Sequence, residues 1–506
     1  EHDRLMAEGM EAFGYKTTYL SASDPTGVRL KKFEDLQDDN NPLNIIFAVD
    51  VLNEGVDIPA INMVLFLRPT ESSTIFLQQL GRGLRKFDGK TFLTVLDFIG
   101  NSYKRSAQIA IALGSLTKSA SMPDKRAILD HIATNFTTLT IPGVIIDLDK
   151  ESKEEILSSL ERTNFNELRV LKQDYENFKA FLIKNGVLTH SQYPMPVDYL
   201  DQTAGTDLIK YTKKYESYYD FLVKVETNIP LFNSDQINAI RTLSWFLPLV
   251  REEEYLILKA LISGPKTKEE LLSLGLEDNM SFKQATDMLL KRVGGTLSKS
   301  FIPLISYDGT IYSLTSDLTN EAFKEWYENL IKYGLEKLKI DDYKKVGLLN
   351  MYGQYTGPKA FMALNCRKRG EEIANLMYMT GVHYINDELC LFVNLKKDSN
   401  TEERLKYQDY FISNNILHWE SQTDTTLTNK KGQKLLETKK AHIFIRKAAK
   451  EDGVELPFIY IGVGELTNPV ESQKTPPTVL FNIVLDSSIP IEYKYDFGIE
   501  DTKDEE

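Results

Sequence analysis

The chain has 506 residues, 42% hydrophobic and 26% charged, with 73 Asp and Glu against 60 Lys and Arg and a net charge of -13. At roughly 150 residues per domain, this predicts three to four domains and excludes a single small module. No apolar run reaches the roughly 18 residues of a membrane helix, the acidic total excludes a surface that is basic all over, and two cysteines, Cys366 and Cys390, exclude a disulfide framework. Nucleic-acid contact therefore has to be local, and the cysteine usage predicts a soluble, cytoplasmic protein in a reducing compartment. The chain starts at Glu1 with nothing resembling a signal peptide, which predicts a piece of something longer.

Residues 1–105 read as alternating helices and buried strands. Leu5, Met6, Met10 and Phe13 fall at helical spacing before Gly14, and 44–49, 62–67 and 91–98 are apolar runs of strand length. Strands of this kind between helices predict an α/β domain with a parallel sheet covered on both faces. Residues 106–245 turn helical. Leu168, Leu171, Tyr175, Phe178 and Leu182 share one helix face that Asn185-Gly186 ends, and an earlier helix opens with Ser152 and Glu155 at capping-box spacing.

Residues 246–330 change rhythm. Helices at 255–260, 267–274 and 281–292 precede two strand candidates that flank Asp308-Gly309, a two-residue hairpin signal. Three helices and a hairpin are the order of a winged helix, whose third helix, here carrying Lys283, Lys291 and Arg292, meets nucleic acid in many cases and protein in others. Residues 331–506 mix short strands at 389–393, 441–445, 458–461 and 479–485 with loops, which predicts an α+β domain with a curved β core. Within 421–450 eight basic residues, including Lys430, Lys431, Arg446 and Lys447, stand against two acidic ones, a local net of +6 that reads either as a solvated loop or as a nucleic-acid contact. The acidic tail 500–506 predicts disorder.

Two segments carry chemistry. Residues 48–59 run Ala-Val-Asp-Val-Leu-Asn-Glu-Gly-Val-Asp-Ile-Pro directly after a strand, and residues 76–86 hold Gln78, Gly81, Arg82 and Arg85 in the spacing Q-x-x-G-R-x-x-R. On a helix that spacing puts Gln78, Arg82 and Arg85 on one face, and two guanidiniums there can hold a triphosphate and stabilise the charge that develops as its last bond breaks.

The second segment resembles motif VI of the superfamily 2 helicases and the first resembles their motif V. Together with Phe66-Leu67-Arg68-Pro69-Thr70-Glu71-Ser72 they resemble a bacterial helicase-like subgroup. In that subgroup the motor precedes a long C-terminal domain of uncharacterised function, and a phospholipase-D-like nuclease sometimes precedes the motor. The resemblance implies a RecA-like second motor lobe over 1–105 whose first strand is missing. It implies Arg85 as the arginine finger on the terminal phosphate of ATP with Arg82 beside it, Asp57 near the ribose, Gly55 where the backbone passes the nucleotide, and Gln78 coupling nucleotide to strand. Val49 stands where motif V often holds Thr, so no hydroxyl is available there.

The phosphate-cradling G-x-x-x-x-G-K-[ST] loop is not found. Gly89-Lys90-Thr91 has its nearest upstream glycine, Gly83, one residue too far away, and it leads into a strand rather than a helix. ATP with Mg2+ is therefore expected to sit mainly on a first lobe supplied from elsewhere, and this chain alone is expected to be inactive. No histidine begins the H-x-K pattern of a phospholipase-D nuclease, and no metal site is expected. The C-terminal strings Tyr407-Gln408-Asp409, His418-Trp419-Glu420-Ser421-Gln422, Ile443-Phe444-Ile445-Arg446-Lys447 and 457–462 resemble the subgroup's C-terminal domain. There Tyr407 and Trp419 are expected either in a core or stacked on a base, with Arg446 and Lys447 on phosphate.

The function these observations predict is the C-terminal portion of an ATP-dependent DNA helicase or translocase. Its expected partners are duplex or single-stranded DNA, the missing N-terminal lobe and a nuclease domain of the same chain, with no membrane partner, and the subgroup's nuclease association implies defence against foreign DNA. The alternative is a non-catalytic DNA-recognition or assembly module that kept a motor lobe as scaffold.

Overall fold

The computed structural model describes residues 2–21, 23–38, 40–48, 59–67, 87, 90–97, 129, 132–133, 150–162, 167–201, 206–291, 300–341, 344–365, 381–385, 387–396, 409–451 and 453–499. The chain divides into two compact units, Glu1–Leu116 with Ile145–Arg162, and Thr117–Val144 with Thr163–Glu506. Among the described residues no helix is long and apolar enough to cross a membrane.

In the first unit α1 (His2–Glu11) reaches β1 (Thr17–Leu20) through Gly14, whose φ of +90° suits a residue without Cβ. α2 (Thr26–Gln37), β2 (Ile45–Ala48), β3 (Met63–Phe66), β4 (Thr94–Asp97) and α3 (Lys150–Arg162) follow. β1 pairs parallel with β2, and β3 parallel with β4, as expected of an α/β lobe. Leu20 and Phe33 are buried against Ile46, Ala48 and Ile61, which fastens α2 to the first pair. β1 was not expected from periodicity because Thr-Thr-Tyr-Leu is short and half polar. The capping box expected at Ser152 and Glu155 does not start α3. Its backbone is already helical at Lys150, with Glu151 in the first turn where the helix dipole favours an acid, so Ser152 lies inside the helix.

The second unit begins with α4 (Leu168–Lys184). Leu171, Tyr175, Phe178 and Leu182 are buried on one face as their spacing predicts, and Gly186 ends the helix at φ +73°. Leu168 is exposed at the helix start. α5 (Ile209–Thr212), α6 (Tyr218–Val225) and α7 (Ser234–Phe246) pack around the same core. α7 opens on a reciprocal cap: Asn233 Oδ1 accepts from the Gln236 amide at 2.9 Å, and Gln236 Oε1 accepts from the Asn233 amide at 3.1 Å.

α8 (Glu253–Leu261), β5 (Lys266–Thr267), α9 (Lys268–Ser273), α10 (Met280–Leu289), β6 (Ile305–Tyr307) and β7 (Ile311–Leu314) come next. The three strands form one antiparallel sheet in the order β5-β7-β6. The hairpin turns at Gly309-Thr310, one residue on from the expected dipeptide, because the Asp308 amide donates to the Ile311 carbonyl at 3.4 Å. Asp308 Oδ1 also caps the Thr310 and Ile311 amides, each at 2.8 Å.

α11 (Glu321–Asp341) crosses this module, and β8 (Lys345–Val346), β9 (Leu349–Asn350), β10 (Gln354–Tyr355) and α12 (Gly357–Ala363) lead to the C-terminal sheet. That sheet contains β11 (Gly381–Ile385), β12 (Glu388–Lys396), β13 (Tyr410–Ser413), β14 (Ile416–Glu420), β15 (Lys440–Ala448), β18 (Phe458–Glu471) and β19 (Val479–Leu485) in the order β11-β12-β15-β18-β19-β14-β13, with β10 beside β18. α13 (Lys430–Thr438), the small pair β16 (Lys450–Glu451) and β17 (Val454–Glu455), and α14 (Ile491–Phe497) complete the unit. β12 and β15 run parallel and the other pairs antiparallel. All four strand runs expected in this region lie in this one sheet.

Two buried lysines hold the helices together, Lys337 within the helical part and Lys359 between it and the segment that leads into the sheet. Burial pulls the Lys337 amine down, and the carboxylates of Asp207 and Asp341, at 3.2 and 2.7 Å, more than reverse that, so its pKa is raised. Lys359 on α12 has two carbonyls for partners, those of Leu247 at 2.6 Å and Pro248 at 3.2 Å, and burial lowers its pKa to about 7. An unfolded chain takes up a proton here below the ordinary lysine value, whereas the folded chain does so only near pH 7. Stability therefore rises with pH across that window and is lost as pH falls through it. Lys359→Met is expected to flatten the dependence of melting temperature on pH between about 7 and 10, as scanning calorimetry at several pH values would record; an unchanged slope would contradict this origin.

Candidate nucleotide and nucleic-acid sites

The first motif begins at the C-terminal end of β2, which stops at Ala48, and the second lies between the C-terminal end of β3 at Phe66 and the start of β4 at Thr94. Gly55, Asp57, Gln78, Gly81, Arg82 and Arg85 themselves lie outside the described residues. Lys90 Nζ donates to the Pro59 carbonyl at 2.9 Å, burial lowers its pKa, and the chain beyond it runs into β4. Among the described residues no group of three or more His, Cys, Asp or Glu side chains could hold a metal ion.

The basic island resolves into two different environments. α13 starts at Asn429, whose Oδ1 accepts from the Gly432 amide at 3.0 Å, and buries Gly432 and Leu435. Lys430, Lys431 and Lys434 are exposed on its other side, with Lys439 and Lys440 exposed just after it. Lys431 Nζ reaches the Thr423 carbonyl at 3.3 Å, and Lys434 sits 3.5 Å above the Tyr384 ring. No carboxylate within salt-bridge distance of these five lysines is found among the described residues.

Arg446 and Lys447, expected on phosphate, belong to the fold instead. They lie on β15, which has β12 on one side and β18 on the other, so their side chains enter the layers that cover the sheet. Arg446 is 5% exposed. Its Nε donates to Asn394 Oδ1 at 2.6 Å, and its Nη1 donates to Glu455 Oε1 at 3.1 Å and the Leu456 carbonyl at 2.8 Å. Its guanidinium also lies 4.2 Å from the Phe458 ring centroid. Lys447 is paired with Glu451 at 3.6 Å and lies over Tyr495.

Trp419 is likewise a core residue. It is 3% exposed and packs on Phe481 with ring centroids 5.8 Å apart, so neither face of its indole is open to a base. Strand parity explains this: on β14, Leu417 and Trp419 point inward while Ile416 and His418 alternate with them. The outward aromatics that the sequence reading missed are Tyr410, half exposed, and His418 beside it, with ring centroids 4.8 Å apart. His418 Nδ1 lies 3.2 Å from Asn482 Oδ1. One step of parity from the buried Trp419 puts His418 on the outer face, and the register sets Tyr410 of β13 opposite it. Tyr407 and Arg292 lie outside the described residues. Lys291 lies just after α10 with φ of 56°, and its Nζ donates to the Phe301 carbonyl at 2.6 Å, which ties it to the segment leading into β6.

Comparison with known families matches three segments. Residues 2–86 match the helicase conserved C-terminal domain, residues 171–342 a domain of unknown function (DUF8090), and residues 349–496 a second domain of unknown function (DUF3427). The chain is 36% identical over 92 residues, 18% of its length, to the "Putative ATP-dependent helicase IRC3" of Saccharomyces cerevisiae. It is 30% identical over 95 residues, 19% of its length, to the "51.5 kDa protein" of a Lactococcus phage, and 32% identical over 65 residues, 13% of its length, to the "Putative ATP-dependent RNA helicase MJ1505" of Methanocaldococcus jannaschii. The matches span 13%, 21% and 8% of those relatives.

Because its indole fills the sheet's core, Trp419→Ala is expected to cost about 3–5 kcal/mol of stability in urea unfolding. A loss below about 1 kcal/mol would mean that the ring is dispensable to packing.

Proposed function

The chain carries the C-terminal part of a superfamily 2 helicase, and on that premise we propose that it supplies the arginine half of an ATP site and the nucleic-acid-binding accessory domains of a DNA helicase or translocase working in the cytoplasm. The observation that carries this reading is the motif VI spacing of Gln78, Gly81, Arg82 and Arg85 inside the matched helicase segment. ATP with Mg2+ binds a first lobe. Closure of the two lobes brings Arg85 onto the terminal phosphate and Arg82 beside it, while Gly55 and Asp57 border the nucleotide and Gln78 links it to the strand. Guanidiniums suit phosphate oxygens rather than a metal ion, so Mg2+ is held by the first lobe. Opening and closing then move the lobes along DNA.

The accessory regions extend the proposal. The order α8-β5-α9-α10-β6-β7 supports a winged-helix-like module. The exposed lysines of α13 offer a phosphate-binding face, and Tyr410 with His418 offers the outward aromatic surface for a base. A nuclease domain in the same polypeptide and a role against foreign DNA fit the subgroup that the motifs resemble.

With the first lobe restored, Arg85→Ala is expected to reduce ATP turnover by about 10³-fold or more while nucleotide binding stays within a few fold; full turnover would remove Arg85 from the reaction. Binding of the intact chain to duplex DNA, measured across a salt series, checks the basic face. Reversing Lys430, Lys431 and Lys434 to Glu is expected to weaken binding by about tenfold or more and make the salt dependence shallower. Unchanged affinity would leave α13 a solvated helix and favour a scaffold role for the domain.

A further inference from the structure

α10 is the third helix of its module, the position that enters a groove of DNA in helix-turn-helix readers. Its exposed surface is one stripe, with Met280 and Lys283 exposed and Asp287 half-buried, so it presents one cation and one anion. Ser281, Gln284 and Thr286, which would widen the polar face, are buried. Gln284 is fully buried, and neither polar atom of its amide has a hydrogen-bond partner among the described residues.

The N-terminal end of α10 is occupied by the turn that follows α12. Asn365, at φ 50°, donates from Nδ2 to Ser281 Oγ at 3.1 Å. Its Oδ1 accepts from Arg251 Nη1 at 2.8 Å, and the same nitrogen donates to the Met362 carbonyl at 2.9 Å. The other edge of the Arg251 guanidinium is held by Glu254, which is 1% exposed, with Nε 2.9 and 3.1 Å from its two carboxylate oxygens. A fixed guanidinium fork, its charge already balanced by a buried carboxylate, is thereby aimed at a carbonyl and a carboxamide on one turn. Lys359 closes the other side on the Leu247 and Pro248 carbonyls.

We infer that α10 is the docking element for the C-terminal domain rather than a reader of nucleic acid. The chain Glu254–Arg251–Asn365–Ser281 joins the three-helix module and the C-terminal sheet into one rigid body. Its partner is the turn Met362–Asn365 of the same polypeptide, recognised through two stacked acceptors. The two segments that match separate families therefore move together, and a displacement of the module is carried whole to the sheet.

Hydrogen exchange on the intact chain tests this. Asn365→Ala and Arg251→Ala are each expected to raise exchange by about tenfold or more in α10 and in residues 357–365 together. Arg251→Lys keeps the charge but loses the fork, so it should give an intermediate rise if the alanine variant does not fold. A duplex DNA probe is expected to leave the α10 amides unchanged, and Lys283→Glu to leave duplex affinity within about threefold of the parent. A rise confined to residues 357–365, protection of α10 by the duplex, or a larger loss of affinity in Lys283→Glu would overturn the inference. None of these readouts involves ATP, so the result stands apart from the motor assignment.

Discussion

The second unit depends on three adjacent strands, β12, β15 and β18, that are buried on both faces. Their side chains alternate between two cores. Leu389, Leu391, Val393, Ala441, Ile443, Ile445, Ile459 and Ile461 join Leu435 of α13 and Tyr493 and Phe497 of α14. Cys390, Phe392, Phe444, Phe458 and Tyr460 join the core that runs through the helices. A strand clothed on both sides can carry no free polar side chain, which is why Arg446 on β15 has three hydrogen-bond partners and an aromatic ring under it. α10 is buried chiefly by packing on α8, and the turn after α12 meets it at Ser281.

Charge follows the same constraint. Part of the acid behind the net charge of -13 is buried and neutralised within the fold: Glu254 by Arg251, Asp207 and Asp341 by Lys337, and Glu420 by the exposed Lys474, with Thr478 donating to it as well. Breaking one such pair would strand a buried charge at a cost of several kcal/mol, larger than any exposed ion pair contributes. Cations engaged in this way are withdrawn from any role in binding. Of the basic residues singled out near 421–450, the lysines of α13 stay at the surface while Arg446 and Lys447 serve the sheet, so a functional basic face is narrower than the local charge suggests.

In the first unit two parallel strand pairs bracket the motifs along the sequence: residues 48–59 follow β2, and residues 76–86 lie between β3 and β4. The accessory unit carries a rigid joint in place of an independent reader helix, which favours transmission of movement over separate recognition by each module.

Covalent spacing and periodicity determined much from the sequence alone. They were sufficient for the helicase motifs, the amphipathic face of α4, the four principal strands of the C-terminal sheet and the helix-and-hairpin order of the central module, because each of these depends on residues close in the chain. Which side a strand residue faces depends on what covers the sheet, and that is decided by chain segments far away. Trp419 went to the core and His418 to the surface on the strength of one step of parity, Arg446 was claimed by Asn394 and Glu455, and Ser281 met Asn365 across the joint. Those are long-range burial and pairing events, and only the tertiary structure could choose among them.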